Sequence, residues 1–187
     1  DMSVLVYANS QDGKFKKSAF EVVSYGKKIA EQHGVACNVI TINVTDASEL
    51  YTYGAEIVSN ISDNQLETFN AKAYASVISQ VAKEKNATVV IIDSSIDSIH
   101  IGPLLAVSLE AGYASNVVAL PNSTNPFIVK RKAFSNKGFN LTEISSSIKI
   151  IGLAKNSFGI HENAVDGNTE EFSASVTDAD FGVQSTN

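Results

Sequence analysis

Short apolar runs alternate with longer amphipathic stretches along the first 120 residues. The runs are rich in β-branched residues and contain few polar positions, which is typical of strands buried on both faces. They predict five strands, at residues 3–8, 35–44, 55–58, 86–92 and 115–120. Between the strands, apolar residues recur at helical spacing and predict four helices, at residues 17–33, 48–53, 64–85 and 101–111. This alternation predicts a parallel sheet that is covered by helices on both faces.

The pattern changes after Pro121, where strand-like pieces follow one another without an intervening helix. They lie at residues 126–129, 132–134, 139–142 and 148–151 and predict an antiparallel extension at one edge of the sheet. Residues 172–176 alternate apolar and polar side chains, as a half-exposed strand does. The predicted fold class is therefore α/β, a three-layer Rossmann-like fold with a mainly parallel sheet, helices on both faces and an antiparallel extension at one edge.

The charges of the chain are unevenly distributed. Of 187 residues, 44% are hydrophobic and only 18% are charged, against a usual fraction of about 25%. Residues 1–155 hold 14 acidic and 14 basic residues, so the formal charge of −6 belongs to the six acids that follow Lys155. A neutral body has no basic footprint for nucleic acid. No apolar run approaches the roughly 18 residues of a membrane span, so we expect no direct membrane insertion.

The usual reactive residues lack partners at the spacings that chemistry requires. Cys37 lies in an apolar stretch, which predicts a small buried hydrophobe. A single cysteine also excludes a disulfide within the chain, in keeping with a reducing compartment. His33, His100 and His161 are too far apart in sequence for a metal-binding motif. No G-x-S-x-G nucleophile elbow is present, so we expect neither catalytic residues nor a metal site.

The loop after the fourth predicted strand carries the only candidates for cofactor binding. No two glycines are closer than seven positions, so the chain lacks both G-x-G-x-x-G and G-x-x-x-x-G-K-[ST]. Ser94, Ser95 and Ser98 nevertheless lie where a strand leads into a helix, and they are weak candidates for holding an anion or a ribose. Asp93 and Asp97 would repel a phosphate. The simpler alternative is that Ser98 or Asp97 caps the helix while Asp93 holds the loop.

Three motifs occur together in the order and at the spacing of one known family. They read S-V-L-V-Y-A with D-G-K-F-K-K-S, then Y-G-A-E-I, then G-P-L-L-A-V-S-L-E-A-G with S-N-V, at residues 3–8, 12–18, 53–57, 102–112 and 115–117. They resemble the motifs S-V-L-V-x-A with G-K-L-K-K-S/T, Y-G-A-D-x-V, and A-P-R-L-A-A-R-L-D-A-G with S-D-V. Over roughly residues 2–160, the chain thus resembles the N-terminal domain of electron transfer flavoprotein alpha subunits.

Several positions depart from the pattern of that family. Residues 98–100 read S-I-H in place of G-K-D, and Leu104 and Ser108 replace two helix arginines. Lys132 replaces the proline that follows Arg131. Nothing after Phe158 resembles the C-terminal domain that binds FAD in the family.

The resemblance implies a non-flavin domain that serves as scaffold for an alpha/beta heterodimer. The complete protein would carry electrons from acyl-CoA and related dehydrogenases, including those of fatty acid β-oxidation, through FAD to a quinone reductase. The expected partner of this chain is the beta subunit, and the FAD would be held by the missing C-terminal domain. We expect residues 1–160 to form the family domain and residues 161–187 to form an acidic tail, with a short terminal strand, that leads to the absent domain.

One alternative remains open from the sequence. The chain could be a stand-alone, universal-stress-like domain that binds a small nucleotide through the Ser94–Ser98 loop. Since no transit peptide is seen, we expect a bacterial cytoplasmic protein rather than one of the mitochondrial matrix.

Overall fold

A computed structural model describes residues 1–133 and 138–182 of the protein. Within these residues the helices are α1 (Lys17–Gln32), α2 (Ala71–Glu84) and α3 (Ile96–Leu109), with short 3₁₀ helices at Ser48–Tyr53, Asn64–Leu66 and Asp178–Phe181. The strands are β1 (Val4–Tyr7), β2 (Ser10–Gln11), β3 (Lys14–Phe15), β4 (Cys37–Ile42), β5 (Ile57–Ile61), β6 (Val89–Ile92), β7 (Gly112–Val117), β8 (Ser123–Thr124), β9 (Phe127–Lys132), β10 (Phe139–Glu143), β11 (Lys149–Leu153) and β12 (Asn168–Glu171).

The main sheet contains ten strands in the order β10-β9-β7-β11-β6-β1-β4-β5-β12, with β8 paired to β9. In this order, the seven strands from β7 to β12 are all parallel to one another. At the other edge, β9 is antiparallel to β7, β8 and β10. The prediction of an α/β fold with a mainly parallel sheet and an antiparallel extension at one edge is confirmed.

Two hydrophobic cores lie on opposite faces of this sheet. Val4 and Val6 of β1 belong to the core beneath α1, whereas Leu5 and Tyr7 belong to the core beneath α2 and α3. This alternation follows from the two-residue period of a strand. The helix α1 approaches the sheet closely at Gly26, where an added Cβ would lie 2.3 Å from the Val6 side chain.

Residues 161–182 pack along the free edge of the sheet. The backbone of Asn163 donates to the carbonyl of Thr52, and β12 extends the sheet beside β5. The strand predicted at residues 172–176 is wrong, because the segment that pairs with β5 is Asn168–Glu171. The alternating apolar side chains that suggested a strand instead pack against the core beneath α2, and these are Phe172, Ala174 and Val176.

Two predicted helices have different bounds in the structure. The helix predicted at residues 64–85 is divided into a 3₁₀ turn and α2, because the Asn70 side chain accepts a hydrogen bond from the Ala73 N–H and so caps α2. The helix predicted at 101–111 begins five residues earlier, at Ile96. Pro103 therefore lies in the interior of α3, where it has no N–H to donate to the Ile99 carbonyl.

The smaller corrections concern strand ends and turns. The strands predicted at 55–58 and 115–120 lie at Ile57–Ile61 and Gly112–Val117. The pieces predicted at 126–129 and 132–134 meet in the single strand β9, and Phe134 lies outside the described residues. Asp12 and Gly13 form the loop of the hairpin β2–β3, and both residues have positive φ, as a two-residue type I′ loop requires.

Candidate functional site at the carboxyl edge of the sheet

The central strands β1 and β6 form the point at which the strand order reverses. From β1 the chain passes through α1 to β4 on one side, and from β6 it passes through α3 to β7 on the other. In open α/β sheets, ligands bind in the crevice beyond the carboxyl ends of such strands. This crevice is bordered by Asn9, which follows β1, and by residues 93–95, which follow β6.

The polar groups in this crevice are bonded to one another. The buried carboxylate of Asp93 accepts hydrogen bonds from the hydroxyl groups of Ser18, at 2.9 Å, and Ser95, at 2.8 Å. The Ser95 hydroxyl also accepts from the backbone N–H of Ser98 and from the side-chain amide of Asn9. Asp93 therefore holds the loop as expected, whereas the residue that caps α3 is Ser95 and not Ser98 or Asp97.

The three predicted site serines lie in different environments. The Ser94 hydroxyl donates to the Leu153 carbonyl at the end of β11. Ser95 caps α3, and Ser98 is fully buried on the inner face of that helix, with no partner for its hydroxyl among the residues the structure describes. The structure thus brings only Ser94 and Ser95 to the crevice. Binding of a ligand by these serines stays a prediction.

A cavity of about 910 Å³ opens between β1, β4 and the first turns of α2 and α3. The side chains at its wall include three carboxylates, of Asp12, Glu67 and Asp97, and one ammonium group, of Lys16. A phosphate in this cavity would meet an excess of negative charge.

A second cavity, of about 560 Å³, lies between the start of α1 and the ends of β6 and β11. Its wall includes the carboxylate of Glu21, which is buried in α1. The oxygens of that carboxylate accept three hydrogen bonds from backbone N–H groups, with N···O distances of 2.7 to 3.1 Å. The donors are Asn156, Phe158 and Gly159. Glu21 therefore fixes the segment that follows β11, and its oxygens are not free for a ligand.

The residues around both cavities do not fit a dinucleotide such as FAD. A pyrophosphate needs a cluster of free backbone N–H groups, which closely spaced glycines supply in the known phosphate loops. Here the hydroxyl groups at the strand ends are bonded within the protein, and the larger cavity has more carboxylates than ammonium groups. The smaller cavity has three lysines, Lys16, Lys17 and Lys155, against two carboxylates, but its glycine spacing still provides no cluster of free backbone N–H groups. We derive no chemical step through a flavin in this part of the molecule.

Other residues singled out by the sequence have structural roles. Tyr7 is buried in the core, and its burial, followed by the charges of Tyr74, Asp93 and Asp97, raises its pKa well above 10. Cys37 is also fully buried, and burial raises the pKa of its thiol from 9.0 to about 12. The buried position of Cys37 confirms the prediction that it is a small buried hydrophobe.

Within residues 1–133 and 138–182, no three His, Cys, Asp or Glu side chains come close enough to hold a metal ion. In the same part of the chain, no helix combines the length and the apolar composition that crossing a membrane requires.

Sequence reasoning missed two residues that shape this edge. Asn9 was not predicted as a site residue, although its place after a central strand is a signal once the strand order is known. Glu21 was not singled out, because a lone acid in an amphipathic helix has no sequence feature that separates a buried residue from an exposed one.

Comparison with protein families gives one match that covers most of the chain. The model described as "Electron transfer flavoprotein domain" matches residues 4–179.

Comparison with curated proteins gives matches with related names. The chain is 26% identical over 178 residues to the electron transfer flavoprotein subunit alpha of Bacillus subtilis, a match that covers 94% of this chain and 55% of the relative. It is 25% identical over 187 residues to the subunit alpha of Thermoanaerobacterium thermosaccharolyticum, covering 95% and 56%. A third relative, from Anaerotignum propionicum, is named acryloyl-CoA reductase electron transfer subunit beta, with 27% identity over 128 residues, 67% of this chain and 35% of the relative.

The chain spans about half the length of the two alpha subunits, and it corresponds to their N-terminal part.

Proposed function

The chain belongs to the electron transfer flavoprotein family, and from this membership we propose that it works as the non-flavin domain of an alpha subunit. In this role it is a scaffold for the alpha/beta heterodimer and has no catalytic residues of its own. The complete protein carries electrons from acyl-CoA and related dehydrogenases, through FAD, to a quinone reductase. The FAD is held by a second domain, outside the half of the alpha subunit that this chain matches.

One observation carries the distinction between a scaffold and a ligand-binding domain. In the crevice where an α/β fold usually binds its ligand, Ser94, Ser95 and Asp93 are bonded to other protein groups. Binding a nucleotide there would require these bonds to be replaced, and the carboxylates of the larger cavity would repel its phosphates.

The names of the relatives support the choice of partners. Two are named as alpha subunits and a third as an acryloyl-CoA reductase electron transfer subunit, which supports our proposal of a beta subunit and acyl-CoA oxidoreductases as the partners here. We also propose that the protein belongs to the bacterial cytoplasm, and the bacterial sources of the named relatives support the first part of this proposal. No observation favours the stand-alone nucleotide-binding domain.

Calorimetric titration tests this proposal. We expect saturable heat when the electron transfer flavoprotein beta subunit of the same organism is titrated into the chain. We expect no heat above dilution when ATP or AMP is titrated at concentrations that would saturate a micromolar site. Micromolar binding of either nucleotide, together with no binding of the beta subunit, would overturn the scaffold and support the nucleotide-binding alternative.

A further inference from the structure

The tail, residues 161–182, lies on the surface of the rest of the protein, which we call the body. Every residue of the tail is exposed or only half-buried, and all four residues of β12 are exposed. In β5, the strand that β12 pairs with, residues 58–61 are buried. The tail therefore rests on the body as an extended peptide rests on a receptor, with no side chain anchored in the interior.

Two buried polar residues of β5 face the tail. Ser59 and Asn60 are each only 1% exposed. The side-chain amide of Asn60 donates to one oxygen of the Glu171 carboxylate at 3.1 Å, and the hydroxyl of Ser62 donates to the other oxygen at 3.0 Å. Charge-assisted hydrogen bonds to both oxygens of a carboxylate fix its position as well as its charge.

The preceding glutamate is bound by a cation. The ammonium group of Lys85, which follows α2, contacts the Glu170 carboxylate at 2.9 Å, and the Ser59 hydroxyl donates to the same oxygen at 3.4 Å. Successive side chains of a strand point to opposite faces of the sheet, so the two glutamates are bound on opposite sides of β5. The edge of this strand is thus built to receive two consecutive carboxylates.

The backbone of the tail is also recognised. β12 pairs in parallel with β5, and the N–H of Phe172 donates to the Asn60 carbonyl. Further along, the side-chain amide of Gln80 bonds to both backbone groups of Ser175, donating to its carbonyl and accepting from its N–H, each at 2.8 Å. Gln80 therefore provides the pair of hydrogen bonds that a neighbouring strand would otherwise supply.

Alternate side chains of the tail complete the contact. Phe172, Ala174 and Val176 pack against the core beneath α2, whereas Ser173 and Ser175 between them are exposed. Main-chain pairing at a sheet edge, combined with contacts to alternate side chains, is a common way in which proteins bind extended peptides from other chains.

The charge of the tail is used at only some of its positions. Six acids follow Lys155 and carry the formal charge of −6. Glu170 and Glu171 bond to the body, whereas the carboxylates of Glu162 and Asp166 make no hydrogen bond or ion pair within residues 1–133 and 138–182. Electrostatic binding of the tail therefore depends on two carboxylates, and two others serve as matched controls.

We propose that the β5–α2 groove, defined as Ser59, Asn60, Ser62, Gln80 and Lys85, is a binding site for an extended peptide segment in which two consecutive carboxylates precede an aromatic residue. The tail occupies this site as an intramolecular ligand that an outside segment of the same chemistry displaces. Because the tail has no buried anchor, it leaves the groove without unfolding the body. This site is additional to the scaffold function and does not depend on it.

The test measures binding of a fluorescent peptide, with the sequence of residues 165–182, to the full chain by polarisation. Tethering gives the tail an effective concentration on the order of 1 mM, so the unchanged chain should bind the peptide weakly. The double variant Glu170→Gln with Glu171→Gln weakens the contacts of the tail and leaves the groove unchanged. We expect it to bind the peptide at least about 10-fold more tightly than the unchanged chain does.

Three controls accompany this measurement. The double variant Glu162→Gln with Asp166→Asn removes the same charge from the tail and should bind the peptide like the unchanged chain. Adding Lys85→Glu to the Glu170→Gln, Glu171→Gln variant should abolish the gain, whereas adding Lys83→Glu, at an exposed position of α2, should preserve it. Circular dichroism should show the same fold in every protein, because all the substituted side chains lie at the surface or in the tail.

The outcomes distinguish a specific groove from general charge effects. Equal peptide binding by the unchanged chain and the Glu170→Gln, Glu171→Gln variant, or no binding by either, would overturn the proposal. An equal gain in the Glu162→Gln, Asp166→Asn control, or an equal loss with Lys83→Glu and Lys85→Glu, would overturn it as well. None of these results bears on the scaffold function, because the beta subunit is absent from the test.

Discussion

At the scale of single residues, the fold uses its buried polar groups to hold backbone segments together. The Asp93 carboxylate joins the start of α1 to the loop before α3, through the hydroxyl groups of Ser18 and Ser95. Glu21 does the same for the segment after β11. These donors lower the cost of burying each carboxylate, because each oxygen replaces lost water by a protein hydrogen bond.

We predict that Cys37 is unreactive in the folded protein. Its thiol is fully buried and has a pKa of about 12, raised by burial from 9.0, so the nucleophilic thiolate is scarce at neutral pH. Because the folded pKa is raised, the stability that the neutral thiol contributes is complete below pH 9 and is lost as the pH rises towards 12. Ellman's reagent at pH 8 should label one thiol in the denatured chain and almost none in the native chain. Rapid labelling of the native chain would contradict the buried position.

At the scale of elements, the tail and the segment before it are held by side chains from distant parts of the sequence. Glu21 binds residues 156–159, and Ser24 of the same helix accepts from the His161 N–H. Further along, β12 pairs with β5 and residues 172–176 pack beside α2. The path of the tail is therefore set by α1, β5 and α2 in turn.

We predict that Glu21→Gln destabilises the chain by about 2–4 kcal/mol. The substitution removes a charged acceptor and turns an amide N–H₂ towards backbone donors that then lack a partner. Chemical denaturation monitored by circular dichroism measures the free energy of unfolding. In this variant the backbone amide hydrogens of residues 156–161 should exchange faster than in the unchanged chain, and the increase should be largest in this segment.

The matched control is Glu31→Gln on the same helix. Glu31 is exposed and accepts from the Asn163 side chain, so its substitution should change the free energy of unfolding by less than about 0.5 kcal/mol. Equal effects of the two substitutions would show that Glu21 does not anchor the segment.

The sequence predicts which elements exist better than it predicts where they begin. The 3₁₀ helix at Ser48–Tyr53 has the predicted bounds, because Gly54 ends it in a left-handed conformation that glycine favours. The start of α3 was misplaced, since Ser95 and not Ser98 is the cap. The tail strand was misplaced because an alternating pattern is also produced by an extended segment that packs against a helix.

At the scale of the whole molecule, composition and periodicity are enough for the fold class but not for the strand order. The pattern of alternating strands and helices predicts a parallel sheet. The insertion of β11 between β6 and β7 has no local signal, because it depends on pairing across more than thirty residues. The apolar outer face of α3 was missed for a related reason, since Ile96 and Ile99 lay outside the predicted helix.

The neutral, charge-poor body of the chain also has a consequence at this scale. Interface cores are depleted of charged residues, and on this chain the exposed large apolar side chains are concentrated on α3 and β10. The crevice at the carboxyl edge, in contrast, is internally bonded and lined by carboxylates. We therefore expect the partner to be recognised at a surface of the chain and not in this crevice.

Hydrogen exchange of the chain, measured with and without the beta subunit, tests this central claim most directly. We expect slower exchange outside the crevice when the beta subunit is present, with unchanged exchange at the crevice residues 9–13 and 93–95. Protection confined to the crevice, or a formed complex with no protection outside it, would contradict this claim.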